Sequence, residues 1–419
     1  MKIAVWHNLP SGGGKRALYD HVRGLVARGH RVEAWRPPTA NADYLPLGQL
    51  IREHVVDLRQ PERQWRDRLT LTPWIERRVE AMEDHCRRCA AEISRGGFDI
   101  LFANSCLFFA TSPIGRHVDV PSVLYLQEPY RPLYEATPRS KWLAPPRSNR
   151  SPLHPATWRN AFHDWRKIDG LRVQAREEVD NAAGFTRILV NSQFSRESLL
   201  RAYGLDSDVC YLGVDTDHFA VRNLPREDYV VGLGSIQPAK NLRLCIEAVG
   251  ALAAPRPRLV WIGNFVHPSW HLDEMRALAG SLRVEFEAKI LVSDEELLDT
   301  LGRATAMLYA PRLEPFGLAP LEANACGVPV IAVAEGGVRE TIVDGVNGLL
   351  VSHDPGAMAA AIARLRADPE FARALGANAR RHVEEKWGLD SAANRLEQRL
   401  EQYAAVDARD SHAPLRHSS

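Results

Sequence analysis

A chain of 419 residues, 45% apolar and 25% charged, is too long for one compact core and points to two domains of about 200 residues each. Those fractions exclude global disorder and collagen-like repeats. Lys plus Arg number 53 against 52 Asp plus Glu, a net charge of +1, so no whole-molecule field gathers nucleic acid.

The first elements read as one β-loop-α-β unit. Ile3 to Trp6 is a short apolar run, Pro10-Ser11-Gly12-Gly13-Gly14 is a loop, and Leu18, Val22, Leu25 and Val26 recur at helical spacing. Gly29 stops that helix, and Arg31 to Trp35 is the next strand. Cys86 and Cys89 have no second pair and no His at metal-ligand spacing after them, so they read as two small residues on a helix flank. Six Cys in all make no disulfide framework, which fits a reducing cytoplasm. Apolar runs recur at Ile100 to Ala103, Ser122 to Leu126 and Arg187 to Val190, mostly with helix-like stretches between them. Strands alternating with helices imply a parallel sheet covered on both faces.

One segment interrupts this domain. Residues 131–156 are proline-rich with little periodicity, which predicts an extended loop. Trp158, Phe162, Trp165, Ile168 and Leu171 then follow at helical spacing, and residues 141–176 carry eight Lys or Arg against two Asp. The favoured reading is a helix packing its aromatic stripe on the domain with a solvated basic face. The other is a surface for an acidic acceptor or for membrane headgroups.

The pattern restarts after a charged, hinge-like stretch from Phe219 to Asp228. Tyr229 to Gly234, Arg258 to Ile262, Ala306 to Tyr309 and Val328 to Ala332 are the strand runs of a second doubly wound α/β domain. The expected divisions are 1–222 with its insertion at about 131–178, then 223–386, a terminal helix over 387–405 and a polar tail over 406–419. Leu389, Ala392, Leu396, Leu400 and Tyr403 give that helix its apolar stripe. Ligands of such sheets bind at the carboxyl ends of the strands, so two facing domains make a cleft. No apolar run approaches 18 residues and Met1 to Val5 leads straight into a strand, so neither a leader nor a membrane span is expected.

The chemistry concentrates in Arg312-Leu313-Glu314-Pro315-Phe316-Gly317-Leu318-Ala319-Pro320-Leu321-Glu322. Two carboxylates flank a glycine that lets backbone N–H groups approach a ligand, at the start of a helix whose free amides favour anionic, oxygen-rich groups. Carboxylates beside such a site accept hydrogen bonds from sugar hydroxyls, so the pair suits a sugar attached to a phosphate. Both Glu also read as helix-start residues favoured by the dipole, and the stretch by itself does not separate the two.

Glu314 and Glu322 with Phe316-Gly317-Leu318 between them and Ala325-Cys326-Gly327-Val328-Pro329-Val330-Ile331-Ala332 after them closely resemble the donor-site signature of family 4 retaining glycosyltransferases (glycosyl transferases group 1). The resemblance continues through Glu335-Gly336-Gly337-Val338-Arg339-Glu340 and Asp344 to Val351. Upstream it takes in Ser192 to Arg196, Gly213 to Phe219, Gly12 to Gly14 and Arg28 to Val32, so nearly the whole chain is covered in order. It implies an α/β GT-B fold: two facing Rossmann-like doubly wound domains, the first on the acceptor side, with a C-terminal helix crossing back to it. It implies a hexosyltransferase-type enzyme that takes a sugar from a nucleotide-diphosphate donor, with retention, by a front-face mechanism.

The implied roles fall on residues that match the motif. Glu314 contacts hydroxyls of the transferred sugar, and Glu322 accepts from the ribose. Backbone N–H groups of Phe316, Gly317 and Leu318 hold the sugar and phosphate. Lys240 neutralises the diphosphate leaving group, and Gly13 and Gly14 form the first domain's face of the site. Lys15 beside them is a further candidate contact to a phosphate or acceptor. Two positions depart from the family pattern. Ser235 stands where many members carry an Arg that pairs with the diphosphate, leaving that task to Lys240, Arg312 or Arg339. Gln127 stands where many have a His near the reacting carbon. Gln holds a sugar hydroxyl but exchanges no proton near neutral pH, and Glu128 is the nearest titratable substitute. Asp215-Thr216-Asp217 has metal-motif spacing but belongs to the family's segment before the hinge, so no metal is expected, and no cofactor beyond the donor substrate.

A dinucleotide oxidoreductase needs Gly-x-Gly-x-x-Gly after its first strand, and Gly12-Gly13-Gly14-Lys15-Arg16-Ala17 fails that spacing. A catalytically silent nucleotide-sugar-binding or scaffold protein stays open because of Ser235 and Gln127. The partners expected are a nucleotide sugar and a hydroxyl acceptor, whether a lipid-linked glycan, a phospholipid, a natural product or a free sugar, and no nucleic acid. The expected location is the cytoplasm, extending to its membrane face on the headgroup reading.

Overall fold

The computed structural model describes residues 1–69, 72–135 and 154–405. Most of the proline-rich stretch and the whole polar tail therefore lie outside the described residues. The chain forms two compact units. The first comprises residues 1–191, 195–211 and 393 onward; the second comprises 192–194 and 212–392.

The first unit contains β1 (Lys2–Asn8), α1 (Gly13–Ala27), β2 (Arg31–Arg36), β3 (Arg52–Val55), α2 (Thr72–Arg95), β4 (Ile100–Cys106) and β5 (Ser122–Tyr125). It continues with α3 (Arg131–Tyr134), α4 (Pro155–Ala183), β6 (Arg187–Val190), α5 (Gln193–Tyr203) and β7 (Asp208–Val209). Its sheet has the order β3-β2-β1-β4-β5-β6-β7 and is parallel throughout. Ile3 pairs with Ile100 and Val5 with Phe102 at the centre, where both strands are covered on both faces and read as unbroken apolar runs. The register shifts between Trp6 and Asn8, at the carboxyl end beside the glycine loop. Arg131–Tyr134 is one helical turn where an extended loop was expected, with Pro132 tolerated in the first turn. Cys86 and Cys89 lie buried on α2, where burial pushes the Cys89 thiol up to about 12.

The second unit contains β8 (Tyr229–Leu233), α6 (Leu242–Gly250), β9 (Arg258–Gly263), α7 (His271–Ser281), β10 (Phe286–Ile290), α8 (Asp294–Arg303) and β11 (Ala306–Tyr309). Then come α9 (Leu318–Ala325), β12 (Val330–Val333), α10 (Val338–Thr341), β13 (Gly348–Val351), α11 (Pro355–Ala367) and α12 (Pro369–Lys386). Its parallel sheet has the order β10-β9-β8-β11-β12-β13. Each sheet steps outward from its first strand in both directions, and that reversal of strand order is where such folds open toward a ligand.

The last helix, α13 (Leu389–Ala404), returns to the first unit from Ala393 onward. Its expected stripe is buried at Ala392, Leu396, Leu400 and Tyr403. Glu397 accepts from His30 at 2.7 Å and pairs with Arg28 at 3.2 Å, and the Tyr403 hydroxyl donates to Asp208. Among the described residues no helix is long and apolar enough to cross a membrane.

Candidate functional site

In the second unit the site is built from the loops that leave β8 and β11, adjacent strands of the sheet. After β8, Gly234 turns at φ 146° and a short 3-10 turn, Pro238–Lys240, carries Lys240 back toward it. The aliphatic stem of Lys240 lies where a Cβ on Gly234 would come within 3.6–3.7 Å. Its ammonium donates to Glu314 Oε1 at 2.7 Å, joining two residues that are 74 apart in sequence. The two side chains are 20% and 23% exposed, so this pair stays open to solvent and to a ligand. The loops are tied together again by Arg312 N–H donating to the Ala239 carbonyl at 3.1 Å.

Glu314 owes its position to tight packing beneath it. Gly337 N–H donates to the Glu314 carbonyl at 2.9 Å, and a Cβ on Gly337 would lie 2.1 Å from the Pro315 carbonyl oxygen. No side chain fits there, which is the physical content of Glu335-Gly336-Gly337 in the sequence. Gly317 precedes α9 at φ 94°, a backbone region that glycine enters without strain, and a Cβ there would meet the Tyr309 hydroxyl at 2.9 Å. Leu318 and Ala319 open α9, where their N–H groups have no intrahelical acceptor; Pro320, third in line, has no N–H.

Phe316 is buried against Trp387, with ring centroids 5.7 Å apart. Glu322 sits on α9, 6% exposed. The sequence reading missed Tyr309. This phenol ends β11 with its titration pushed far up by burial first, then by the charges of Glu314 and Glu322. Both carboxylates thus act on one buried hydroxyl, which ties the two ends of the signature together. Ser235 is 7% exposed and adds no charge. Arg312, named as a substitute cation, pairs with Glu335 at 2.8 Å, and exposed Arg339 donates to the Gly336 carbonyl at 3.1 Å. Asp215 Oδ1 accepts from the N–H groups of Asp217 and His218, so Asp-Thr-Asp forms a local turn.

The first unit brings a different set together. Gly12, at φ 132°, and Gly13 have open space where a side chain would be, whereas a Cβ on Gly14 would lie 3.6 Å from Gln127 Nε2. Gly14 of the glycine loop and Gln127 are therefore neighbours. Glu128 beside it is 44% exposed and lies 3.7 Å from Arg131. Lys15 does not face outward. It is 1% exposed, its Nζ makes no hydrogen bond, and burial lowers its pKa while Glu53 opposes that shift. His7, also buried, is lowered to about 4, first by burial, and stands 3.8 Å from Glu53, beyond hydrogen-bond reach. Glu53 in turn accepts from Arg36 at 3.1 Å. These residues form a largely buried charged cluster on β1, β2, β3 and the start of α1.

Comparison with known proteins agrees with both halves. Residues 214–382 match the family profile Glycosyl transferases group 1, and residues 11–218 match Glycosyltransferase Family 4. D-inositol 3-phosphate glycosyltransferase of Streptomyces bingchenggensis is 32% identical over 248 residues, covering 53% of this chain and 53% of that protein. The same-named protein of Thermomonospora curvata is 32% identical over 258 residues, 54% of this chain and 58% of its own. The chain spans about half the length of the curated relatives it matches. Among solved structures, sucrose-phosphate synthase from Thermosynechococcus elongatus superposes with a TM-score of 0.71 at 19% identity, over 97% of this chain and all of that one. Anabaena HepE, solved in complex with UDP and glucose, gives 0.68 at 18% identity over 96% of this chain and all of its own. At these identities the likeness is one of fold.

Proposed function

The chain belongs to the group 1, family 4 glycosyltransferases and has the GT-B fold, and on that premise we propose that it transfers a sugar from a nucleotide-diphosphate donor to a hydroxyl acceptor, with retention and without a metal. The observation that carries the reading is the Lys240–Glu314 pair, a cation and a sugar-directed carboxylate held 2.7 Å apart and open to a ligand. When the bond from the anomeric carbon to the phosphate oxygen breaks, negative charge grows on the departing diphosphate. Lys240 meets that charge, together with the Leu318 and Ala319 amides at the start of α9. Glu314 and Glu322 accept hydroxyls of the sugar and of the ribose.

The acceptor oxygen bonds to the face the diphosphate leaves, and its proton passes to the departing phosphate oxygen. Configuration is retained, atoms balance, and no side-chain base is required. Gln127 beside Gly14 suits that scheme, because an amide positions a hydroxyl without exchanging protons near neutral pH. Saturation-transfer NMR against a panel of nucleotide sugars, followed by assays of hydrolysis and transfer, tests the proposal. It expects one nucleotide's sugars to bind and turn over. Binding without any turnover makes the chain a silent sugar-nucleotide-binding protein, and binding of none contradicts the donor site altogether.

A further inference from the structure

The aromatic stripe of α4 does not do what its spacing suggested. From Pro155 to Asp169 no residue of the helix is buried, and the first buried position is Gly170. Trp158 is 67% exposed, Phe162 44% and Trp165 51%. At about 100° per residue these three rings fall within an arc of about 60° on one face. Arg159 and Arg166 flank that face on one side and Arg172 on the other, whereas Lys167 lies on the opposite side of the helix. The two acidic groups in this stretch do not offset them: Asp164 lies toward the opposite side of the helix, and Asp169 accepts from the Thr72 hydroxyl. Arg166 donates to the Asp67 carbonyl at 2.9 Å, which brings the 3-10 turn Trp65–Arg68 alongside. That turn and the residue after it add Trp65, 77% exposed, and Leu69, 58% exposed.

We propose that this face is a docking surface for an anionic lipid bilayer. Large rings flanked by Arg on one side of a helix are the composition of an interfacial helix. The rings enter the boundary between headgroups and acyl chains, while the cations meet the phosphates. The charge selects this occupant. A second copy of the chain docking face to face sets the same cations against each other, which is unfavourable, whereas an anionic surface pairs with all of them. The inference does not depend on which sugar or acceptor the protein uses.

The test is flotation of the full chain with vesicles of phosphatidylcholine alone or mixed with phosphatidylglycerol. The wild type is expected to float with the phosphatidylglycerol vesicles, to release as salt is raised, and to associate only weakly with phosphatidylcholine. The W158A/F162A/W165A variant is expected to lose on the order of tenfold or more in partition while staying folded, since all three rings are exposed and none belongs to the buried core. R159A/R172A, which leaves the rings in place and removes a flanking cation from each side of the face, is expected to lose about thirty-fold. Failure of the wild type to float, or equal flotation of wild type and both variants, overturns the proposal. So does a concentration-dependent dimer that the aromatic variant abolishes while flotation stays absent, because that outcome gives the stripe to a second copy.

Discussion

Each unit places a lysine shortly after its first strand, behind a glycine turn, and the two lysines have opposite fates. Lys240 reaches solvent and pairs with Glu314. Lys15 is sealed inside the first unit with no hydrogen bond to its ammonium, in the company of His7, Arg36 and Glu53. A charge kept at the surface beside a carboxylate can be handed to an incoming diphosphate. A charge buried away from solvent is a structural liability that the surrounding sheet has to balance. On the proposed reaction this difference divides the two lysines: Lys240 of the second unit is placed to meet a leaving group, and Lys15 of the first is not.

The largest test of that division is Lys240→Ala. The charge it meets develops as the bond breaks, so turnover should fall by about 3 kcal/mol, roughly a hundredfold or more, with a smaller loss in donor affinity. Single-turnover and equilibrium binding measurements separate the two. Full turnover in the variant would move the role to another cation.

The buried histidines of the first unit set the next effect. His21, edge-on to Phe102 and Tyr125 with neither ring nitrogen bonded, is lowered to about 4, chiefly by burial. Its folded value lies below its ordinary 6.5, so the unfolded chain binds the extra proton. The stability it contributes is complete above pH 6.5 and drains away as pH falls toward 4, by on the order of 3 kcal/mol. Urea midpoints at pH 7 and 4.5 should converge in His21→Phe relative to wild type, and an unchanged acid sensitivity would refute the assignment.

Lys15→Met should be nearly silent, within about 1.5 kcal/mol in stability and with activity retained, because the substitution keeps the stem and removes a buried charge. Lost activity in a stable Lys15→Met protein would show that Lys15 reaches substrate after all. Smallest of all is the pH effect of Gln127. Gln127→Ala should slow the reaction yet leave the shape of its pH profile unchanged, since an amide does not titrate in the working range.

How far the sequence could be read follows the same physics. Interior strands such as β1, β4, β8 and β11 are buried on both faces and announce themselves as apolar runs. The edge strands β3, β7, β10 and β13 went unread as strands. Arg52-Glu53-His54-Val55 and Phe286-Glu287-Ala288-Lys289-Ile290 are half exposed and carry charge, so no such run exists to find. That gap had a cost at the site. Glu53, the charge that opposes the effect of burial on Lys15, lies on one of those unread edges. Glu314, Gly317 and Glu322 were legible because one loop and one helix carry all three. The Lys240–Glu314 contact was not, since it forms only when adjacent strands bring two distant loops together. Tyr309 looked like any strand residue, and the effect of the Glu314 and Glu322 charges on its buried hydroxyl becomes visible only in three dimensions.

The central claim is that the second unit holds the nucleotide of a sugar donor, and calorimetric titration of nucleoside diphosphates into wild type and Glu322→Ala tests it most directly. Loss of hydrogen bonds to a charged acceptor is worth about 1.5–3 kcal/mol, so the account predicts saturable binding to the wild type and an affinity roughly ten- to a hundredfold weaker in the folded variant. Equal affinity in the two proteins, or no nucleoside diphosphate bound by the wild type, would contradict it.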